Sequence, residues 1–167
     1  KMTVVQRLHG DARARPLAEE YLRRNEPAKA LPLLQSAATG IYSDDPVFLM
    51  TLAQAQFASG QFQATTTTLD HLKAKNPKFE NADGHLLYAR SLEAEGRNDE
   101  ANSEYAAVAD YFPGAEARVR YGLFLQKQGE HGQARRCFQD VIRSLDKAGK
   151  AFIRDQREWY DIAKRQS

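Results

Sequence analysis

The side chains able to support chemistry are few, and they are scattered along the chain. The four histidines, His9, His71, His85 and His131, lie far apart in the sequence, and none stands at a metal-ligand spacing from Cys, Asp or Glu. We therefore expect them to be surface or helix-end residues. The pattern predicts neither a metal site nor a bound cofactor.

Cys137 is the single cysteine, so the chain can form no internal disulfide. A reactive thiol needs an oriented base or a lowered pKa, and the neighbouring Arg135 and Arg136 would favour the thiolate. Cys137 also stands beside Phe138 in an apolar pattern typical of a packed helix. A small packing residue is the leading interpretation, and a redox role is the alternative.

Carboxylates are plentiful, and several stand close together in the sequence. A glycosidase needs two of them facing each other across a cleft, which nothing in their spacing specifies. Asp44 and Asp45 precede Pro46, an order that predicts the start of a helix. The glycine pair Gly129 and Gly132 lacks the lysine and the preceding strand of a phosphate-binding loop. We expect no catalytic residue and no enzymatic activity.

The composition is that of a single compact domain of 167 residues. The net charge of +2 provides no overall field that would attract nucleic acid. Residues 117–167 nevertheless carry 12 basic and 6 acidic side chains, whereas residues 1–116 carry 12 and 16. A solvated outer face on the last helices explains this asymmetry, and a basic docking surface for an acidic partner is the alternative.

Turn residues recur along the chain and divide it into similar segments. They are Asn25, Gly60, Gly96 and Gly129, at intervals of 35, 36 and 33 residues. A period of about 34 residues is typical of stacked helical hairpins. Because one hairpin cannot bury its apolar face alone, its neighbours must stack on it.

Apolar residues at helical spacing fill the segments between these turns. Residues 65–68 are four threonines, which are weak helix formers, but the hairpin period still predicts a helix there. A last helix over residues 149–166 has no partner after it, so we expect it to cover the open end of the stack. The first ten residues, with Val4, Val5 and Leu8, are compatible with a short helix or an extended arm.

Small residues recur at two fixed distances from the turns. Those in the first helices are Ala18, Ala53, Ala89 and Gly122, and those in the second helices are Ala30, Thr65, Ala101 and Ala134. These positions resemble the tetratricopeptide repeat over about residues 12–146. The whole chain is similar to a group of bacterial proteins with divergent repeats of this type. The resemblance implies an all-α, right-handed superhelical stack of about four antiparallel helix hairpins in one domain. The units are residues 12–42, 46–77, 82–113 and 115–146, with a C-terminal capping helix over 149–166.

In this family the first helices line a concave groove that holds an extended peptide or a partner helix. Carried over by position, the groove residues are Arg15, Glu19, Leu22, Met50, Gln54, Phe57, Leu86, Arg90, Glu93, Val119, Leu123 and Gln126. The resemblance implies an apolar centre at Met50, Phe57, Leu86 and Leu123, with Arg90 nearby. It thus implies a non-catalytic protein-interaction scaffold. The alternatives are a groove filled by a terminal segment and a structural module that forms a homo-oligomer.

No apolar run approaches the length needed to span a bilayer, and no signal peptide is visible. A cytoplasmic location is expected. In the similar bacterial group a membrane segment precedes the repeats, so a tether to the inner membrane upstream of this segment is the alternative. The C-terminal helix carries arginines and lysines with Phe152, Trp159 and Tyr160. We interpret these aromatics as a packed face, and expect neither nucleic-acid binding nor membrane insertion.

Overall fold

In a computed structural model, the described part of the chain folds into helices alone. The structure describes the backbone of residues 4–167 and the side chains from residue 12 onward. The helices found there are α1 (Val4–Arg23), α2 (Pro27–Ala37), α3 (Pro46–Ala58), α4 (Phe62–Lys75), α5 (Ala82–Ala94), α6 (Asn98–Tyr111), α7 (Glu116–Lys127), α8 (His131–Ala148), α9 (Lys150–Asp155) and α10 (Arg157–Gln166). The predicted all-α class is confirmed.

The helices group into two compact units, unit 1 (Lys1–Glu95) and unit 2 (Gly96–Ser167). Within unit 1, α1 packs on α2 and α3 packs on α4, while α5 packs on both α3 and α4. Within unit 2, α7 packs on both α6 and α8. Within each unit, these helices therefore bury their apolar sides mainly against helices that are near them in the sequence.

The predicted turns adopt the left-handed backbone conformation that ends a helix. Gly60, Gly96 and Gly129 have φ angles of 75°, 74° and 82°, and Asn25 has a φ of 57°. Glycine meets no steric penalty in this conformation, and asparagine tolerates it better than most residues. Asn25 thus takes the place of a turn glycine.

Side-chain caps start two of the first helices. Asp45 accepts a hydrogen bond of 2.7 Å from the backbone N–H of Phe48, and Pro46 is the first residue of α3, as the sequence predicts. Asn81 accepts an equivalent bond of 2.8 Å from Gly84 at the start of α5. Each cap satisfies a backbone donor that the helix itself leaves unpaired.

The threonines of α4 form a helix, as the hairpin period predicts. The hydroxyls of Thr65 and Thr67 donate to backbone carbonyls one turn earlier, over 2.9 Å each. Thr66 donates over 2.8 Å to the carboxylate of Glu95, just beyond α5. The hydroxyls thus find partners within the helix or on its neighbour, and buried packing offsets the weak intrinsic propensity.

The two ends of the chain differ from a simple hairpin. The first residues continue α1 from Val4, which favours the helix over the extended arm; the side chains of Val4, Val5 and Leu8 lie outside the described residues. The prediction of one unbroken C-terminal helix is wrong, because the chain turns at Gln156 between α9 and α10. The side chain of Gln156 there accepts a hydrogen bond of 2.9 Å from the N–H of Ala115, which precedes α7.

The helix α10 closes one side of unit 2. It packs on both α7 and α8, as α5 packs on both α3 and α4 in unit 1. Its residue Ala163 is fully buried, and the hydroxyl of its Tyr160 donates to Asp146 of α8 over 2.7 Å. The C-terminal segment therefore occupies the place that the first helix of a further hairpin would take.

Candidate binding surface

The first helices of unit 1 carry most of the residues predicted to line a groove. Helix α3 is in contact with α1 on one side and with α5 on the other. The predicted residues on these helices are Arg15, Glu19 and Leu22 of α1, Met50, Gln54 and Phe57 of α3, and Leu86, Arg90 and Glu93 of α5. These nine residues thus lie on three neighbouring helices of one compact unit.

Two of them do not form the apolar surface that was expected. Met50 and Leu86 are only 7% and 4% exposed, and they belong to the core. A Cβ atom on Gly84 would lie 3.0 Å from the sulfur of Met50, which shows how closely α5 approaches α3 there. These side chains fill the space between the helices, so the predicted apolar centre at Met50 and Leu86 is corrected to two packing residues.

Phe57 and Arg90 form the best-defined feature of the remaining surface. The guanidinium carbon of Arg90 lies 4.5 Å from the centre of the Phe57 ring, a cation–π contact between α3 and α5. The edge of the Phe57 ring also meets Phe62, at 5.3 Å between ring centres. Gln54 and Glu93 flank this pair and are exposed and half-buried, respectively. We call Gln54, Phe57, Arg90 and Glu93 the Phe57–Arg90 platform.

A polar cluster lies between α1 and α3. Arg15 donates to Glu19 over 2.6 Å, and the hydroxyl of Thr51 lies 3.5 Å from the same carboxylate oxygen. An open pocket of about 250 Å³ adjoins Arg15 and is lined by Ala12, Arg15, Tyr42, Asp45, Val47 and Phe48. Sequence reasoning missed this pocket, because Tyr42 reaches it from the loop between α2 and α3.

The predicted residues of unit 2 have a different setting. Val119 is fully buried, so its expected place on the binding surface is corrected to the core, while Leu123 is half-buried. These residues belong to α7, which α10 contacts. Arg120 of α7 lies over the Trp159 ring at 4.8 Å, and Gln126 donates to Gln166 over 3.1 Å. A terminal segment therefore covers part of α7.

The thiol of Cys137 has an environment that disfavours reaction. Burial raises the pKa of Cys137, and this effect exceeds the opposing influence of the Arg118 and Arg136 charges. The lowered pKa that Arg135 and Arg136 suggested is therefore wrong. Among the residues that the structure describes, no three His, Cys, Asp or Glu side chains come together as metal ligands would.

The sequence from α1 to α5 matches a known repeat. Residues 21–91 fit the family model described as tetratricopeptide repeat. This segment belongs to the tetratricopeptide repeat family. It begins late in α1 and ends within α5, so it includes the Phe57–Arg90 pair and the turn at Gly60.

Several solved structures share the fold of the chain. MamA residues 41 to the end from Desulfovibrio magneticus RS-1 is 19% identical, with a TM-score of 0.69 over 94% of this chain and 90% of that one. A putative kinesin light chain with nearly identical repeats from Podosopora anserina is also 19% identical, with a TM-score of 0.66 over 93% and 90%. A tetratricopeptide repeat protein from Parabacteroides merdae ATCC 43184 is 16% identical, with a TM-score of 0.67 over 95% and 64%.

Two further observations concern the sequence and the helices. No curated protein matches the sequence of the chain. Within the described residues, none of the helices combines the length and the apolar character that a membrane span requires.

Proposed function

We propose that this chain is a non-catalytic scaffold that binds an extended peptide or a partner helix through the first helices of its tetratricopeptide repeats. The observation that carries the proposal is the stacking of Arg90 on Phe57, at 4.5 Å. Aromatic residues and arginines dominate the energy of protein interfaces when they are well packed. The repeat family supports interaction with proteins in general, and the platform supports this particular surface.

The platform is already ordered, which favours binding. Phe57 contacts Phe62 as well as Arg90, so its ring is held from two sides. A side chain that is fixed before binding loses less conformational entropy when a partner arrives. Arg15, Glu19 and the neighbouring pocket would extend the contact along α1. Met50 and Leu86 would support the surface from below.

A peptide library displayed on phage and panned against the full chain provides the test. Peptides selected in this way should bind the Phe57→Leu, Arg90→Gln variant at least about 30-fold more weakly than the wild type, since such anchors contribute about 2 kcal/mol or more. The conservative replacements keep most of the apolar volume, so thermal unfolding should change little.

The matched control is the Phe152→Leu, Arg154→Gln variant, which changes the same residue types on α9. Its affinity for the selected peptides should equal that of the wild type. Equal affinity in the platform variant would refute the proposed surface.

A cytoplasmic location, or an inner-membrane tether upstream, remains part of this proposal.

A self-associating structural module is the second candidate function, and one observation favours it. Leu17 of α1 is 44% exposed, whereas Leu52, the corresponding residue of α3, is 6% exposed and packs among residues of α2. The exposed apolar side chain of Leu17 suits contact with a second copy of the chain. Sedimentation over a concentration series should show dimers that Leu17→Glu converts to monomers, and a wild-type monomer at every concentration would exclude this function.

A further inference from the structure

Phe152 departs from the packing expected for the C-terminal aromatics. Trp159 and Tyr160 are half-buried, and they contact Arg120 and Asp146, as a packed face requires. Phe152, in contrast, is 58% exposed, and the six-residue helix α9 that carries it has no buried residue. Such a short helix is not stable by itself, and an exposed aromatic ring on it adds nothing to the core. The ring is therefore available to a partner.

Basic residues are frequent in the sequence on both sides of Phe152. Residues 143–154 contain four cations and one acid, and the cations are all exposed: Arg143, Lys147, Lys150 and Arg154. The acid is Asp146, whose carboxylate accepts a hydrogen bond from the hydroxyl of Tyr160. The two arginines lie 3.7 Å from Asp140 and 3.8 Å from Asp155, in exposed pairs that contribute little energy. We call these four cations and Phe152 the C-terminal patch.

We propose that the C-terminal patch binds the surface of a membrane that contains anionic phospholipids. The ring of Phe152 would enter the boundary between headgroups and acyl chains, while the lysines and arginines would lie at the phosphate level. Each cation near such a surface is attracted by its negative potential. The interaction is peripheral and needs no membrane-spanning helix.

The shape of the patch favours a lipid surface over nucleic acid. Proteins that bind single strands use a basic groove and several aromatic rings on which successive bases stack. The C-terminal patch offers one exposed ring, that of Phe152 on α9. A fluid lipid surface adapts to a single protruding ring, whereas a folded acidic protein would need a pocket that matches it.

Sedimentation of the full chain with lipid vesicles tests this proposal. The chain should bind vesicles of phosphatidylserine and phosphatidylcholine, should not bind vesicles of phosphatidylcholine alone, and should be released by high salt. Lys147→Glu with Lys150→Glu should weaken binding about tenfold or more. Phe152→Ala should weaken it about fivefold, because the inserted ring is lost.

The control reverses two other lysines, Lys73 and Lys75, which are exposed in the last turn of α4 as Lys147 is in the last turn of α8. This variant has the same net charge as the test variant and should bind vesicles like the wild type. Equal loss in both variants would reduce the effect to net charge and overturn the proposal. So would the absence of wild-type binding, equal binding to neutral vesicles, or tighter patch-dependent binding of a single-stranded oligonucleotide or polyglutamate. Platform variants should leave vesicle binding unchanged.

Discussion

The hydroxyl of Thr68 donates a hydrogen bond to the side-chain carbonyl oxygen of Gln56, with 2.8 Å between the two oxygens. Both residues are buried, so this bond joins α3 to α4 away from solvent. Leaving one buried partner unpaired costs about 1–3 kcal/mol, whereas replacing both by apolar groups of similar shape is nearly neutral. The pair therefore helps to set the register between α3 and α4.

We expect Thr68→Val or Gln56→Leu alone to lower the free energy of unfolding by about 1–2 kcal/mol, because each strands a buried polar group. The double variant should lose less than the sum of the two changes. Urea unfolding of the wild type, both single variants and the double variant gives the coupling energy. Strict additivity would show that the bond contributes nothing specific.

Gly122 marks a close approach of α7 to α8. A Cβ atom at this position would lie 2.7 Å from the ring of Phe138, which is fully buried. Gly122→Ala should therefore lower the free energy of unfolding by about 1–3 kcal/mol through overpacking. At Gly132 of α8, an added Cβ would meet nothing within 4 Å. Gly132→Ala is the control, and its unfolding midpoint should stay at or slightly above that of the wild type.

Gln156 links the C-terminal segment to the start of α7. Replacing it with alanine removes the acceptor for the Ala115 N–H, and should cost about 1 kcal/mol, as loss of a helix cap does. Hydrogen exchange at the Ala115 amide should become faster. Gln156→Glu keeps an acceptor near a helix N-terminus, where negative charge is favourable, and should preserve protection. Unchanged exchange in Gln156→Ala would contradict this role.

The Cys137 thiol should react slowly at neutral pH. Burial raises the pKa of Cys137, and the thiolate is the reactive form. The pH profile of its alkylation should therefore be shifted to higher pH than that of an ordinary thiol. Urea-unfolded protein should show the ordinary profile, because the desolvation is lost. Measuring iodoacetamide modification of native and unfolded chain across pH provides the comparison. Faster reaction of the native thiol at neutral pH would support the redox alternative.

The hairpins could be predicted from the sequence because their turns have a strict backbone requirement. Gly60, Gly96 and Gly129 adopt positive φ, and so does Asn25, one of the few other residue types that tolerate it. The spacing of such residues is visible without any structure. The threonines of α4 form a helix although their intrinsic helix propensity is weak, because buried packing and hydroxyl partners outweigh it. The period of the turns therefore predicted this helix better than its own composition.

The binding surface was harder to predict, because neighbouring helices use some of the same positions for packing. Met50 and Leu86 are buried where α5 approaches α3 near Gly84, and that approach is a tertiary property. The break at Gln156 likewise depends on an amide 41 residues earlier in the chain. Helical periodicity records which side of a helix is apolar, but not how far the next helix covers it.

The position of α10 also matters to anyone who edits this protein. It lies against α7 and α8 and so covers the last hairpin of unit 2. A truncation placed after α8, at the apparent boundary of the last unit, would uncover apolar side chains and invite aggregation. A tag or an additional module should instead be fused beyond Gln166.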